Sequence, residues 1–269
     1  MDTGHGLSDA YSPDDIARKI EGMGVRKAHA DTLTLLVLAM LAGAFIAIGS
    51  LFYTVVITNS QLGFGITRLL GGLSFSLGLI LVVVGGAELF TGNNLLTMAW
   101  ASGQISTSSV LRNWCYSYLG NVVGAVITVV LVVLAGVDNL GDGAVGLTAV
   151  KIAAGKSHLT LIEAFLRGMF CNALVCLAVW LAMGGRSVMD KIMAIFLPVA
   201  AFVTLGFEHS IANWFFLPYG LILDDNNLIS GFGCITNIIM ATLGNIVGGA
   251  VQVGAVYWVA YLRKSRRAV

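Results

Sequence analysis

Glu208 and His209 stand side by side in the segment GFEHSIAN, residues 206–213, with Lys191 and Asp224 as the nearest charged neighbours on either side. Apolar sequence surrounds them. An ionisable side chain at hydrocarbon depth costs several kcal/mol unless it is paired, neutral or turned to water, so such a residue points to function. Histidine is the side chain that exchanges a proton near neutral pH, whereas a carboxylate with a normal pKa stays charged. A second stretch, GAELFTGN at 86–93, has the same spacing: Gly86, Glu88 and Asn93 match Gly206, Glu208 and Asn213. LGNVVGA at 119–125 likewise matches LGNIVGG at 243–249. The offsets are 120 and 124 residues, in order along the chain, so the sequence reads as a duplicated unit.

The elements that carry these motifs belong in a bilayer. Hydrophobic residues make up 57% of the chain, charged residues 11%, and mean hydropathy is +0.88; a soluble domain carries about 25% charged residues. A span needs roughly 20 apolar residues, and six segments qualify: 33–58, 69–101, 112–135, 159–183, 191–223 and 235–261. The second and fifth are over-long, and each is interrupted by one of the Gly-x-Glu motifs. Three spans per copy is an odd number, so the second copy must enter the membrane inverted. Broken helices at equivalent places in inverted repeats point to a transport site at the midplane, because irregular backbone is tolerated only where protein or a wet cavity supplies partners.

The basic residues set an orientation. With both termini in the cytoplasm, eleven of the fifteen Lys and Arg, including Arg18, Lys27, Arg112, Arg186 and Lys191, lie inside, and Arg68, Lys151 and Lys156 lie outside. That bias predicts cytoplasmic termini. The expected layout is an N-terminal segment 1–32, a channel domain 33–262 and a basic tail 263–269. In the first, Ser12 and Pro13 start a short helix whose stripe of Ile16, Ile20 and Met23 reads as an interfacial anchor. The opening residues are polar, so no signal peptide is expected. Net charge is +1, and no nucleic-acid partner is expected.

Other chemistry is poorly supported. The cysteines at 115, 171, 176 and 234 have no CxxC spacing and no accompanying ligand cluster, so they read as small buried hydrophobes with no metal. No HExxH, GxSxG or cofactor fingerprint is present, which argues against an enzyme and against a cofactor. Glu163 and Arg167 are four apart and satisfy each other on one helix face. A pore fits better. Phe75, Leu79, Leu89, Phe90 and Phe202 flank the breaks and could form apolar necks, which resist bare ions because dehydration there is expensive. A lone central histidine between such necks suits a small weak acid that crosses as the neutral species.

GAELFTGN, GRSVMDK at 185–191, LPVAAFVTLGFEHSIAN and TLGNIVGG together are similar to the formate–nitrite transporter family, and within it to the formate channels, along essentially the whole chain. The resemblance implies a homopentamer in the bacterial inner membrane. Each subunit would have an aquaporin-like fold and its own pore for formate; nitrite or hydrosulfide would be the alternative. It implies that the first break, Leu89 to Thr91, faces His209, and that Thr91 and Asn172 hydrogen-bond near that ring. Lys156 would draw anions to the vestibule, and the five apolar residues would line the constrictions. Glu88 stands where some formate channels have Asp, so it and Glu208 are expected to brace the broken backbone, with Glu208 accepting from the freed N–H groups.

Overall fold

A computed structural model describes residues 10–263; Lys264, Arg266 and Arg267 of the expected basic tail lie outside the described residues. All regular structure among the described residues is helical. In hydrocarbon each backbone group must find its partner inside the segment, which a helix provides. The chain opens with α1 (Pro13–Ala28), α2 (Thr32–Ile57) and α3 (Phe64–Gly85). Two short helices follow, α4 (Phe90–Asn93) and α5 (Leu96–Ala101), then α6 (Thr107–Leu134) and α7 (Ala144–Ser157). Next come α8 (Leu161–Gly184), α9 (Val188–Thr204) and α10 (Ser210–Ile222). Helix α11 (Gly231–Ile246) continues through π-helical turns at Val247–Ala255 and Trp258–Leu262.

Short polar residues set most of the helix starts. Ser12, Asp31, Ser106 and Ser230 each accept from the backbone N–H three residues on, while Thr160 with Glu163 and Ser187 with Asp190 form reciprocal capping boxes. Five helical stretches are long and apolar enough to cross a membrane: α2, α3, α6, α8 and the run Gly231–Leu262. Helix α9 has 17 residues, a length of about 25 Å at 1.5 Å per residue, just short of a bilayer core. The expected fifth span is thus split into α9 and α10.

Both expected breaks are present. Helix α3 ends into Gly86 at φ 84°, and α9 ends close before Gly206 at φ 72°. Left-handed backbone of this kind disfavours any residue with a Cβ. Extended residues follow, and a new helix begins at Phe90 or at Ser210. The halves then differ: α10 continues for 13 residues, whereas α4 stops after four and turns into α5.

Helix α1 departs from the interfacial anchor expected of it. Ile16 and Ile20 are buried and pack with Leu95, Met98, Val179 and Trp180, so its stripe faces protein. Lys19 adds a bond from Nζ to the Met183 carbonyl at 3.1 Å, which fixes α1 across the end of α8.

Candidate functional site

Each break is held by one asparagine from a neighbouring helix. Asn121 of α6 accepts from the Phe90 N–H at 2.9 Å and donates to the carbonyls of Ala39 and Glu88 at 2.7 and 2.9 Å. Asn245 of α11 accepts from the Ser210 N–H at 2.9 Å and donates to Gly168 and Glu208 at 2.7 and 2.9 Å. The N–H of Glu88 reaches the Leu38 carbonyl, and that of Glu208 reaches Arg167. The backbone groups left over where a helix stops, which buried protein must satisfy, therefore go to these two amides and to backbone carbonyls of α2 and α8.

The glutamates do something other than expected. Glu208 was expected to accept from freed backbone N–H groups, but its carboxylate takes Lys156 Nζ on both oxygens at 3.0 Å, Asn213 at 2.8 Å and Asn237 at 3.1 Å. Glu88 takes Lys27 Nζ at 3.0 Å and Asn93 at 2.8 Å. In each copy a further asparagine ties the cluster to its lysine: Asn113 donates to the Lys27 carbonyl, and Asn237 to that of Lys156. The freed backbone donors are met by the asparagines and by neighbouring carbonyls, and a buried carboxylate needs a countercharge, so lysine takes the place that backbone was expected to fill.

That arrangement also corrects the expectation for Lys156. Only 16% of its side chain is exposed and only 4% of Glu208's. The ammonium is spent on the carboxylate and leaves little net field for an arriving anion.

His209 caps α10. Its Nδ1 accepts from the Ala212 N–H at 3.1 Å, and its Nε2 lies 3.1 Å from Thr91 Oγ1. An N–H can only donate, so Nδ1 is the bare nitrogen and a neutral ring carries its proton on Nε2. His209 and Thr91 are thus in direct contact across the two breaks. Asn172 makes no such contact with the ring; its Nδ2 lies 3.2 Å from the Thr91 carbonyl, 2.8 Å from Asn94 Oδ1 and 2.7 Å from the Asn245 carbonyl. It holds the loop that holds Thr91.

Two cavities flank this centre. The larger, about 580 Å³, is lined by His209, Phe75 and Phe202 together with Arg68, Lys151, Lys156 and Glu208. The smaller, about 160 Å³, is lined by Leu79, Leu89, Glu88, Lys27 and Met23. On α3 the lining passes from Phe75 to Leu79, four residues or about 6 Å along the axis, so one helical turn separates the cavities there. Phe75 and Phe202 meet edge to face at 5.7 Å, and Phe202 stacks on the His209 ring at 6.1 Å. Phe90 is placed elsewhere than expected. Its ring packs on Trp114 and Tyr118 at 6.3 and 5.0 Å and lines neither cavity, because the Asn121 bond to its N–H turns the residue toward α6.

Sequence reading alone overlooked Lys27, Asn113, Asn237 and the bracing role of Asn121 and Asn245. Signals for them were present: Asn121 and Asn245 lie inside the LGN motifs, Asn113 and Asn237 recur at the same offset of 124 residues, and the tripeptides KAH at 27–29 and KSH at 156–158 repeat before spans one and four. His29 and His158 even make the same bond, Nδ1 to the carbonyl four residues back, at 2.8 and 2.7 Å. Helix α7, which carries Lys156, was also overlooked. It is an element of its own before span four, matched by α1 before span one.

Comparison with known proteins decides the family. Residues 14–259 match the family model described as formate/nitrite transporter. The chain belongs to the formate/nitrite transporter family. It is 42% identical to the formate channel FocA of Escherichia coli (strain K12), over 96% of each chain. It is 40% identical to a probable formate transporter of Methanothermobacter thermautotrophicus, over 96% of this chain and 99% of that one. Among solved structures it resembles a pentameric formate channel with formate bound (44% identity, TM-score 0.78, 86% of this chain and 98% of that one). A second similar structure is an ion channel of the same family (29% identity, TM-score 0.84, 91% and 98%). The family's members are channels and transporters, and this chain is a multi-pass membrane protein among them.

Proposed function

We propose that the protein is a homopentameric channel for formate, with one pore in each subunit and pH-dependent flux. The observation that carries this reading is the pair of cavities separated by one turn of α3, with His209 lining the larger and touching Thr91 of the first break. The relatives named as formate channels support the substrate and the pentamer. The repeated brace, lysine–glutamate–asparagine on each break, supports six spans in two inverted halves, with α9 and α10 forming the fifth. The bias of basic residues supports cytoplasmic termini.

The pathway works as a proton donor set beside an apolar filter. Phe75, Phe202, Leu79 and Leu89 make the neck apolar, so a hydrated ion would lose water without compensation. Formate entering the larger cavity competes with Thr91 Oγ1 for the Nε2–H of His209, a donor suited to a carboxylate oxygen. A second proton on the ring would set N–H against the Ala212 N–H, so the cap of α10 opens whenever His209 holds it. Formate and proton therefore arrive as a pair: the doubly protonated ring gives its Nε2 proton to formate, the neutral acid crosses the neck, and the ring regains its resting form when water takes the Nδ1 proton and returns one to Nε2. The deciding experiment is uptake into proteoliposomes of formate, nitrite and hydrosulfide at two pH values. Formate flux no greater than that of protein-free liposomes would overturn the reading, and faster nitrite or hydrosulfide flux would change the substrate.

A further inference from the structure

The larger cavity needs a positive charge to gather anions, and Lys156 is already matched by Glu208. Arg68 has no ion-pair partner among the described residues. From the first turns of α3 its Nη1 donates to the Tyr53 hydroxyl at 2.9 Å, its Nε to the Thr204 carbonyl at 3.2 Å and its Nη2 to the Val203 carbonyl at 2.6 Å. All three acceptors are neutral. A guanidinium has five N–H groups in a planar fork; these bonds use three and leave one on each terminal nitrogen. The fork lines the cavity that holds Phe75, Phe202 and His209.

Nor does the fold require an arginine here to end α9. The residue 120 positions on, in the corresponding place ahead of the second break, is Val188. The partial negative end of α9 offsets part of the charge and holds the guanidinium still, while its remaining N–H pair stays available. A planar fork of two N–H groups fits the two oxygens of a carboxylate.

We propose that Arg68 is an anion-binding subsite of the larger cavity, gripping a small monocarboxylate before it reaches His209. Lys151 contributes to the same field: it lines the cavity, lies exposed and has no ion pair among the described residues. Arg167 contributes less, since Glu163 lies 3.9 Å from it. The inference rests on the formate-channel reading and gives it a first binding step.

The test compares wild type with Arg68→Gln and Arg68→Lys in proteoliposomes, measuring formate influx against concentration at about 0.01 M and 0.15 M salt. Screening lengths there are about 30 and 8 Å. For Arg68→Gln the half-saturating formate concentration should rise roughly tenfold at low salt, as expected for losing a charged pair of hydrogen bonds, with maximal flux changed much less. Arg68→Lys keeps the charge without the fork, so it should recover the salt dependence and still bind formate several-fold more weakly. Carbon-13 formate line broadening on the detergent-solubilised pentamer reads binding without transport and should weaken in the same order. If wild type carries no formate, the channel reading fails; if wild type carries it and both variants keep wild-type half-saturation, the subsite fails. Should Arg68→Gln not assemble, Arg68→Lys with wild-type half-saturation and line broadening would by itself overturn the fork.

Discussion

His209 does two jobs with two nitrogens, and the jobs can be separated. Asparagine is a strong N-cap residue, so His209→Asn should preserve the start of α10 and the pentamer while abolishing the pH dependence of formate flux. A full pH response in that variant, read in liposomes, would leave His209 as a cap and no more. Lys156 makes the opposite kind of prediction. Removing one partner of a buried ion pair costs about 3–5 kcal/mol, and Glu208 would be left charged among Asn213 and Asn237. Lys156→Gln should therefore lower the melting temperature of the pentamer and reduce flux equally at low and high salt. A loss confined to low salt, with stability intact, would restore Lys156 as an attractor of anions.

At the scale of the element, the breaks depend on two residue types that act differently. Gly86 and Gly206 permit the left-handed turn, and Asn121 and Asn245 satisfy what the turn exposes. An alanine in left-handed backbone costs about 1–2 kcal/mol. A Cβ at Gly86 meets open space, whereas one at Gly206 would come to 3.2 Å from Arg68 Nη2. Gly206→Ala should therefore destabilise more than Gly86→Ala in thermal unfolding, and the reverse order would show that Arg68 yields freely. Asn245→Leu orphans the Ser210 N–H and the carbonyls of Glu208 and Gly168, at about 1–3 kcal/mol for each unsatisfied group. Its expected signature is failed assembly or a large fall in melting temperature, and near-wild-type stability would mean that water can replace the amide.

Over the whole molecule, the two halves are alike in their braces and unlike in their cavities. The smaller cavity is bordered by Met23 and Lys27 of α1, so α1 lies beside one mouth while the other is more than three times as large. Leu79 lines the small cavity and Phe202 the large one, so a Leu79→Ala, Phe202→Ala double variant opens the wall from both sides. Leak of larger monocarboxylates should rise while formate flux changes less, and unchanged anion selectivity would remove both side chains from the path. Orientation is tested separately: a cysteine at either terminus, labelled by an impermeant reagent from outside intact cells, would contradict cytoplasmic termini.

The sequence by itself determined the bilayer setting, the helical class, the two breaks and the family, because these depend on hydropathy, on glycine at a reversed φ and on motifs that recur at a fixed offset. Glu88, Glu208 and His209 were conspicuous for the same reason: ionisable groups are rare and costly in apolar runs. Their partners were decided only by the tertiary structure. Lys156 sits 52 residues from Glu208, and Asn121 sits 31 residues from Phe90, and no local pattern states which of several asparagines will meet a freed N–H. Phe75 and Phe90 are equally apolar in the sequence, yet one lines a cavity and the other packs on Trp114. That difference comes from helix rotation and from one hydrogen bond, and neither exists until the helices pack.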